Sequence, residues 1–238
     1  MKYSIITSSY NQLEKLKRLA GALITIPADK FQWIIADDGS SDGTVEYFGK
    51  NISDYPYEIK IVTQEDKGYR LVEILNEAAK IADGEYLLWI MADTYPRLDF
   101  FEKFDPVVQP NRMVCAVRLN VNEDGFLISP DWRISVFPQA MAENEVEVVH
   151  ERPWEIMTLN GMCMSKRAWD EMGGISLEYK GYGRMDWDMA AWAFYHEYKL
   201  FWATRAFLNH DWHQDRVDTQ ENVDVFARRL EAYKKGEL

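Results

Sequence analysis

Carboxylates stand where the chain leaves its apolar and glycine-rich runs: Asp37 and Asp38 after "WIIA", Asp93 after "YLLWIMA", and Asp186 after "GYGRM". An ionised carboxylate at the end of a buried strand is costly unless a donor meets it. A nucleobase imide N–H or a ribose hydroxyl is such a donor, so Asp37 and Asp38 read as nucleotide contacts. The competing reading is a turn, because Asp-Gly and Ser-Asp-Gly favour turns and Asp42 is placed to cap the next helix. Asp93 offers a hard oxygen ligand suited to Mg²⁺ or Mn²⁺ on a diphosphate; the alternative is a strand-ending turn before Pro96. His210 and His213 in "NHDWHQDR" are two of the chain's 4 histidines and have a spacing that can serve a metal. Asp186 follows a glycine loop able to approach a ligand closely and opens a helix, where a carboxylate can act as general base or as N-cap.

Those residues need elements to place them. Short apolar runs, "YSIIT" (Tyr3 to Thr7), "WIIA" (Trp33 to Ala36), "IKIV" (Ile59 to Val62), "YLLWIM" (Tyr86 to Met91) and "MVCAV" (Met113 to Val117), alternate with helix-period segments. That rhythm predicts an α/β fold of buried parallel strands and crossover helices. Leu13, Leu16, Leu19, Ala20, Leu23 and Ile24 share one helix face, as do Leu71, Ile74, Leu75, Ala78 and Ala82. The ligand crevice of such a sheet lies beyond the carboxyl ends of its strands, where Ser8 to Asn11, Asp37 to Ser40 and Asp93 fall.

The second half lacks a long helical pattern over 120–161 and predicts short strands and loops. Ser165 should cap a short helix ended by Gly173 or Gly174. A second helix should bury Trp187, Ala190, Ala191, Phe194 and Tyr198, leaving Asp186 on an exposed first turn. At about 100° per residue Asp188 points elsewhere, towards the free N–H groups and the helix dipole. The last helix should start at "DTQE" with Asp218 as cap and Glu221 reaching back.

At 238 residues and 47% hydrophobic content the chain can bury one full core. Its net charge of -12 argues against a general grip on nucleic acid or an anionic membrane. Cys115 and Cys163 lack CxxC spacing and read as small buried side chains. The longest apolar runs fall short of the roughly 18 residues of a membrane span, and the N-terminus lacks the apolar core of a signal peptide, so the expected location is cytoplasmic.

The motifs together resemble the family 2 glycosyltransferases of the GT-A fold, in order along most of the chain. "SIITSSYN" resembles the opening strand and Tyr-Asn turn, without the common proline, and "IIADDGSSDGT" the nucleotide-binding Asp-Asp-Gly-Ser segment. "EDKGYRLVEILNEAAKIADGEYLLWIMAD" is similar to the stretch leading to the metal motif, and "NGMCMSKRAWDEMGGISLEYKGYGRMDWDM" to the acceptor-side segment. Two departures stand out: the usual Asp-x-Asp reads Met91-Ala92-Asp93, and the usual Glu-Asp reads Met185-Asp186.

The resemblance implies a Rossmann-like, mostly parallel sheet with flanking helices and a smaller mixed acceptor-side region. It implies one domain over 1–238: a nucleotide-sugar-binding half (1–118), an acceptor-side half (119–215) and a C-terminal helix (216–238). It further implies inverting transfer from a nucleotide-diphosphate sugar, with a UDP-sugar favoured, to an acceptor hydroxyl, as in polysaccharide biosynthesis. Asp186 would be the base, and Mn²⁺ or Mg²⁺ would sit at Asp93 with a histidine, His213 being favoured over His210. Ser8, Tyr10, Asn11, Asp37, Asp38, Lys67, Arg70 and Asp93 would serve the nucleotide; Trp154, Asn160, Gly161 and Trp187 would face the acceptor. Trp132 and Trp212 are further candidates for stacking on sugars. The alternatives are a degenerate glycan- or partner-binding protein, in keeping with Met91 and Met185, and a nucleotidyltransferase, against which "TSSYNQLEK" lacks the glycine-rich loop.

Overall fold

Ile5, Ile6, Trp33, Ile34, Ile35, Leu87, Leu88 and Trp89 are fully buried, as strands covered on both faces must be. In the computed structural model, which describes residues 1–213 and 217–238, strand and helix alternate as the periodicity predicts. The order is β1 (Tyr3–Ser9), α1 (Leu13–Leu23), β2 (Phe31–Asp37), α2 (Thr44–Asn51), β3 (Glu58–Thr63), α3 (Leu71–Lys80) and β4 (Tyr86–Trp89). The less regular remainder comprises β5 (Thr94–Pro96), α4 (Phe100–Phe104), β6 (Arg112–Val121), β7 (Leu127–Ser129), α5 (Trp132–Val136), β8 (Val146–Glu147) and β9 (Met162–Ser165). It closes with α6 (Lys166–Met172), α7 (Met185–Tyr195), β10 (Lys199–Asp211) and α8 (Gln220–Lys235). The expected boundary at 215/216 lies outside the described residues.

The strands form one sheet in the order β3-β2-β1-β4-β9-β6-β10-β5, with β7 on β6 and β8 on β10. The first four run parallel. Met113 to Val117 forms part of a strand, β6, but not the next neighbour of β4. The chain crosses after β4 to the far edge as β5, and β9 later fills the gap between β4 and β6, antiparallel to both. β10 lies parallel to β6 and carries a register shift between Ala203 and Phe207.

Two apolar layers cover the sheet. Leu16, Leu19, Ala20 and Leu23 of α1 join Trp33, Phe48 and Phe104 in one. Ile74, Leu75 and Ala78 of α3 join Trp169, Ala190 and Ala191 in the other. Ile24 departs from the predicted face: it is 51% exposed, because α1 ends at Leu23. The predicted face of α7 also needs correction. Asp188, Met189, Ala190, Ala191, Trp192 and Ala193 are buried, whereas Trp187 is half-buried, Phe194 is exposed and Tyr198 lies beyond the helix end. The helix packs against the sheet, the 153–156 turn and α8 at once, so it has no single buried stripe.

Ser165 caps α6 by accepting the Ala168 N–H at 3.2 Å, and Gly173 ends it in the left-handed conformation (φ 77°). α8 is capped by Thr219, whose hydroxyl accepts the Asn222 N–H, and not by Asp218. The Asp218 carboxylate is drawn instead to Arg184 Nε, 2.8 Å away. Among the described residues no helix is long and apolar enough to cross a membrane.

Candidate functional site

The carboxyl ends of β1 and β2 carry the first part of the site, and the two adjacent aspartates divide their work. Asp37 is fully buried, and its Oδ2 accepts from Gly39 N (3.2 Å), Ser40 N (3.0 Å) and Thr63 Oγ1 (2.9 Å). It braces the turn and does not line the cavity. Asp38 does line it, 7% exposed, with Oδ1 accepting from Gln64 Nε2 and Oδ2 from Arg70 N at 2.9 Å. The glycine between turn and loop is required: Gly39 has φ +86°, and a Cβ there would strike the backbone of Asp66.

Other predicted nucleotide residues split the same way. Ser8 and Tyr10 line the cavity; the Ser8 hydroxyl donates to the Met91 sulfur at 3.2 Å, and Tyr10 Oη donates to Asp66. Asn11 does not line it; its Oδ1 accepts the Ser41 N–H at 2.8 Å and holds the loop. Asp42 accepts from Leu13 N at 2.8 Å as well as from Thr44, so it ties the loop to the start of α1. The side chains of Lys67, paired with Glu65, and Arg70, directed to Glu65 and Glu73, lie outside the lining. Arg70 contributes through its backbone N–H alone.

Beyond β4 the chain brings Asp93 against β10. Asp93 Oδ2 lies 3.8 Å from His210 Nε2 and 3.4 Å from His213 Nε2. Ligand atoms of the three residues lie within 4.8 Å of one another. Both histidines are thus at hand, and His210 is the more buried, 5% exposed. Its Nδ1 meets Asn120 Oδ1 at 2.9 Å, and Asn120 Nδ2 donates to Ser129 Oγ at 2.9 Å. That chain orients the imidazole with Nε2 towards Asp93, the kind of support a ligand histidine uses. Burial pushes the Asp93 carboxyl up, but the His213 hydrogen bond and the charges of His210 and Lys15 outweigh it and hold it at about 2. Burial lowers His210 to about 4, keeping the imidazole neutral. One carboxylate and two imidazoles fit a divalent cation.

The third part comes from α7. Asp186 Oδ1 accepts the Trp187 N–H at 2.9 Å and Oδ2 the Leu159 N–H at 3.4 Å. It lines the cavity in a recess and is not on an exposed turn. Burial pushes its carboxyl up to about 6, with the Asp218 charge adding to the rise against the two N–H bonds. Asp188 is 3% exposed and faces away: Arg229 Nε donates to both its oxygens at 3.0 and 2.9 Å, and Tyr233 Oη donates at 2.9 Å. Its partners are therefore on α8 and not the N–H groups of its own helix.

The glycine loop before α7 is held from below. Buried Asn222 accepts the Lys180 N–H at 2.9 Å and donates to Gly183 O at 3.0 Å. Gly183 has φ +97° and lies so close to the Asp218 carboxylate that a Cβ would collide with it. Asn160 and Trp187 line the cavity; Asn160 accepts the Met91 N–H at 3.2 Å and donates to Thr94 Oγ1 at 2.6 Å. Two other predicted acceptor residues do not. Trp154, 3% exposed, packs on Phe194 and Tyr195, and Gly161 lies behind the lining against Ala116 and Leu208. Trp132 and Trp212 are exposed elsewhere.

All three parts open into one cavity of about 560 Å³. Arg118, Tyr69, Tyr182 and Arg184 also line it and were not predicted. Arg118 directly follows the apolar run Met113 to Val117, a strand-end position of the kind that marks the crevice, but no motif surrounds it. Arg184 carries a signal only in retrospect, next to a glycine whose left-handed turn it extends (φ 68°).

Comparison with known proteins agrees with this architecture. Residues 4–173 match the family described as Glycosyl transferase family 2. Over 89 residues the chain is 33% identical to validoxylamine A glucosyltransferase of Streptomyces hygroscopicus subsp. jinggangensis, covering 37% of this chain and 21% of that protein. Over 97 residues it is 29% identical to poly(ribitol-phosphate) beta-glucosyltransferase of Bacillus spizizenii, covering 40% and 15% respectively. The chain thus spans about a fifth or less of the length of these curated relatives. Among solved structures, S. aureus TarS 1-349 in complex with UDP superimposes with a TM-score of 0.73 at 17% identity, over 98% of this chain and 65% of that one. GalNAc-T7 with UDP, GalNAc and Mn²⁺ gives a TM-score of 0.73 at 14% identity, over 99% and 50%. These likenesses establish a GT-A-like fold, and the family match over most of the chain makes this protein a member of glycosyl transferase family 2.

Proposed function

We propose that this protein transfers a sugar from a UDP-sugar to an acceptor hydroxyl with inversion at the anomeric carbon. The observation that carries the reading is the sharing of one cavity by Asp38, the Asp93–His210–His213 cluster and Asp186. Asp38 accepts a hydrogen bond from the base or ribose, while Asp37 and Asn11 act indirectly by holding the loop. Asp93 and the two histidines would hold a divalent cation, Mn²⁺ or Mg²⁺. When bound, that ion neutralises charge on the departing diphosphate. Asp186 takes the proton of the acceptor hydroxyl as its oxygen bonds to the anomeric carbon from the face opposite the phosphate. The anomeric C–O bond breaks and its electron pair leaves with the diphosphate. A carboxyl raised to about 6 is a stronger base than an ordinary aspartate and is still mostly ionised at neutral pH. Asn160 and Trp187 border the acceptor space.

The test is release of UDP from UDP-glucose or UDP-GlcNAc in the presence of Mn²⁺, read together with donor affinity. Turnover that falls in Asp186→Asn while UDP binding persists supports the reading. Unaltered turnover in that variant, or no UDP binding by the wild type, overturns it.

A further inference from the structure

Arg118 is a cavity residue to which this reaction assigns no work. It is half-buried, lines the cavity with Asp93 and His210, and its guanidinium has no hydrogen-bond or ion-pair partner among the described residues. The other arginines of this region are engaged: Arg184 with Asp218, and Arg18 with Asp211. The backbone beneath Arg118 is firmly placed. Its N–H donates to Asp131 Oδ2 at 3.0 Å, and Asp131 is clamped by Arg133, itself 1% exposed and bonded to Ala116 O at 2.7 Å and Ile156 O at 3.0 Å. A cation kept partly desolvated without a partner is costly unless an anion meets it in the working complex. The planar fork of five N–H donors suits the paired oxygens of a phosphate or carboxylate.

Its place in the fold tells which substrate would carry that anion. Asp38 follows β2 and Arg118 lies on β6, four strand steps away in the sheet, or roughly 19 Å at about 4.8 Å per step. The 159–161 segment links Arg118 to the other end of the site. Gly161 O accepts the N–H of Ala116, two residues before Arg118, at 2.9 Å, and Leu159 N–H meets Asp186. Arg118 therefore lies beside the Asp93–His210 cluster, four strands from the nucleoside end, and is linked through 159–161 to the segment that meets Asp186.

We propose that Arg118 forms an anion subsite that takes a phosphate or carboxylate carried by the acceptor, close to the hydroxyl that reacts. Naming the ligand an acceptor rests on the transfer reading above; the anion subsite itself does not.

The experiment titrates methyl phosphate into the wild type and Arg118→Gln by calorimetry, with and without saturating UDP and Mg²⁺, after melting curves show that the variant is folded. Methyl phosphate should bind the UDP-saturated wild type, and Arg118→Gln should weaken it at least tenfold with UDP affinity unchanged within twofold. Arg118→Lys should retain part of the binding. Three results overturn the proposal: no methyl phosphate binding to the UDP-saturated wild type, equal binding in the glutamine variant, or a tenfold fall in its UDP affinity, which would put Arg118 on the donor diphosphate. A wild type that binds methyl phosphate through Arg118 but never binds UDP would sink the transfer reading and leave the subsite standing.

Discussion

Two aspartates with the same side chain face different environments at the start of α7, and that difference decides what each can do. Asp186 keeps its oxygens on weak backbone donors and opens to the cavity, whereas Asp188 is saturated by Arg229 and Tyr233. Asp186→Asn should lower turnover between a hundredfold and ten-thousandfold, the usual worth of a general base, with UDP affinity nearly intact. In the wild type the rate should fall as pH drops through about 6, because the base must be unprotonated. The stability signature has the opposite sense. A carboxyl raised from 3.8 to about 6 by folding favours the native state below 3.8, and that contribution is lost as pH rises through 6. Asp186→Asn should therefore unfold at no lower denaturant concentration than wild type at pH 7.5. Asp38→Ala should cost about 1.5–3 kcal/mol of UDP binding in calorimetry, the range for a hydrogen bond to a charged group; an unchanged Kd would remove Asp38 from the donor site.

Elements carry the site by holding one another. α8 reaches α7 through the Arg229–Asp188–Tyr233 cluster and reaches the glycine loop through Asn222. A buried pair that loses one member leaves the other uncompensated, so Asp188→Ala should lower stability by about 3 kcal/mol in a denaturant titration. The residual folded enzyme should retain UDP affinity, because this cluster touches no cavity residue of the nucleotide end. If Asp188→Ala unfolds like wild type, α8 is not the clamp that sets the position of α7.

For the molecule as a whole, the Met91 departure means that on the proposed reading a cation would draw its protein ligands from two places distant in sequence, just after β4 and the end of β10. Asp93 and the two histidines would supply three ligand atoms, fewer than the coordination of Mg²⁺ or Mn²⁺ demands, so substrate oxygens would have to add to them. Mn²⁺ should bind weakly alone and at least tenfold more tightly with UDP, and UDP should gain the same factor from Mn²⁺. Calorimetry in both orders checks the reciprocity. His210→Ala and His213→Ala should each reduce the Mn²⁺ affinity, and full activity in excess chelator would exclude the cation from the reaction.

Much of this was legible in the chain itself. The strands β1 to β4, the helices α1 and α3, and the carboxylates at strand ends follow from apolar periodicity and turn chemistry, which are local properties. Ser165 and Gly173 were readable for the same reason, since a cap acts within a few residues. The tertiary structure decided the rest. Asp37 and Asp38 are indistinguishable as letters, and only the loop packing against β3 shows that one braces the turn and the other faces the cavity. The insertion of β9 between β4 and β6 joins residues about fifty positions apart on the β6 side and nearly eighty on the β4 side, so no local pattern could announce it. Asp218 looked like a helix cap until Arg184 claimed it, and Arg118 carried no signal beyond its place after an apolar run. Local sequence determines which elements form and where their polar ends lie; which of those ends converge depends on long-range pairing, where the competing partners are set by the packed whole.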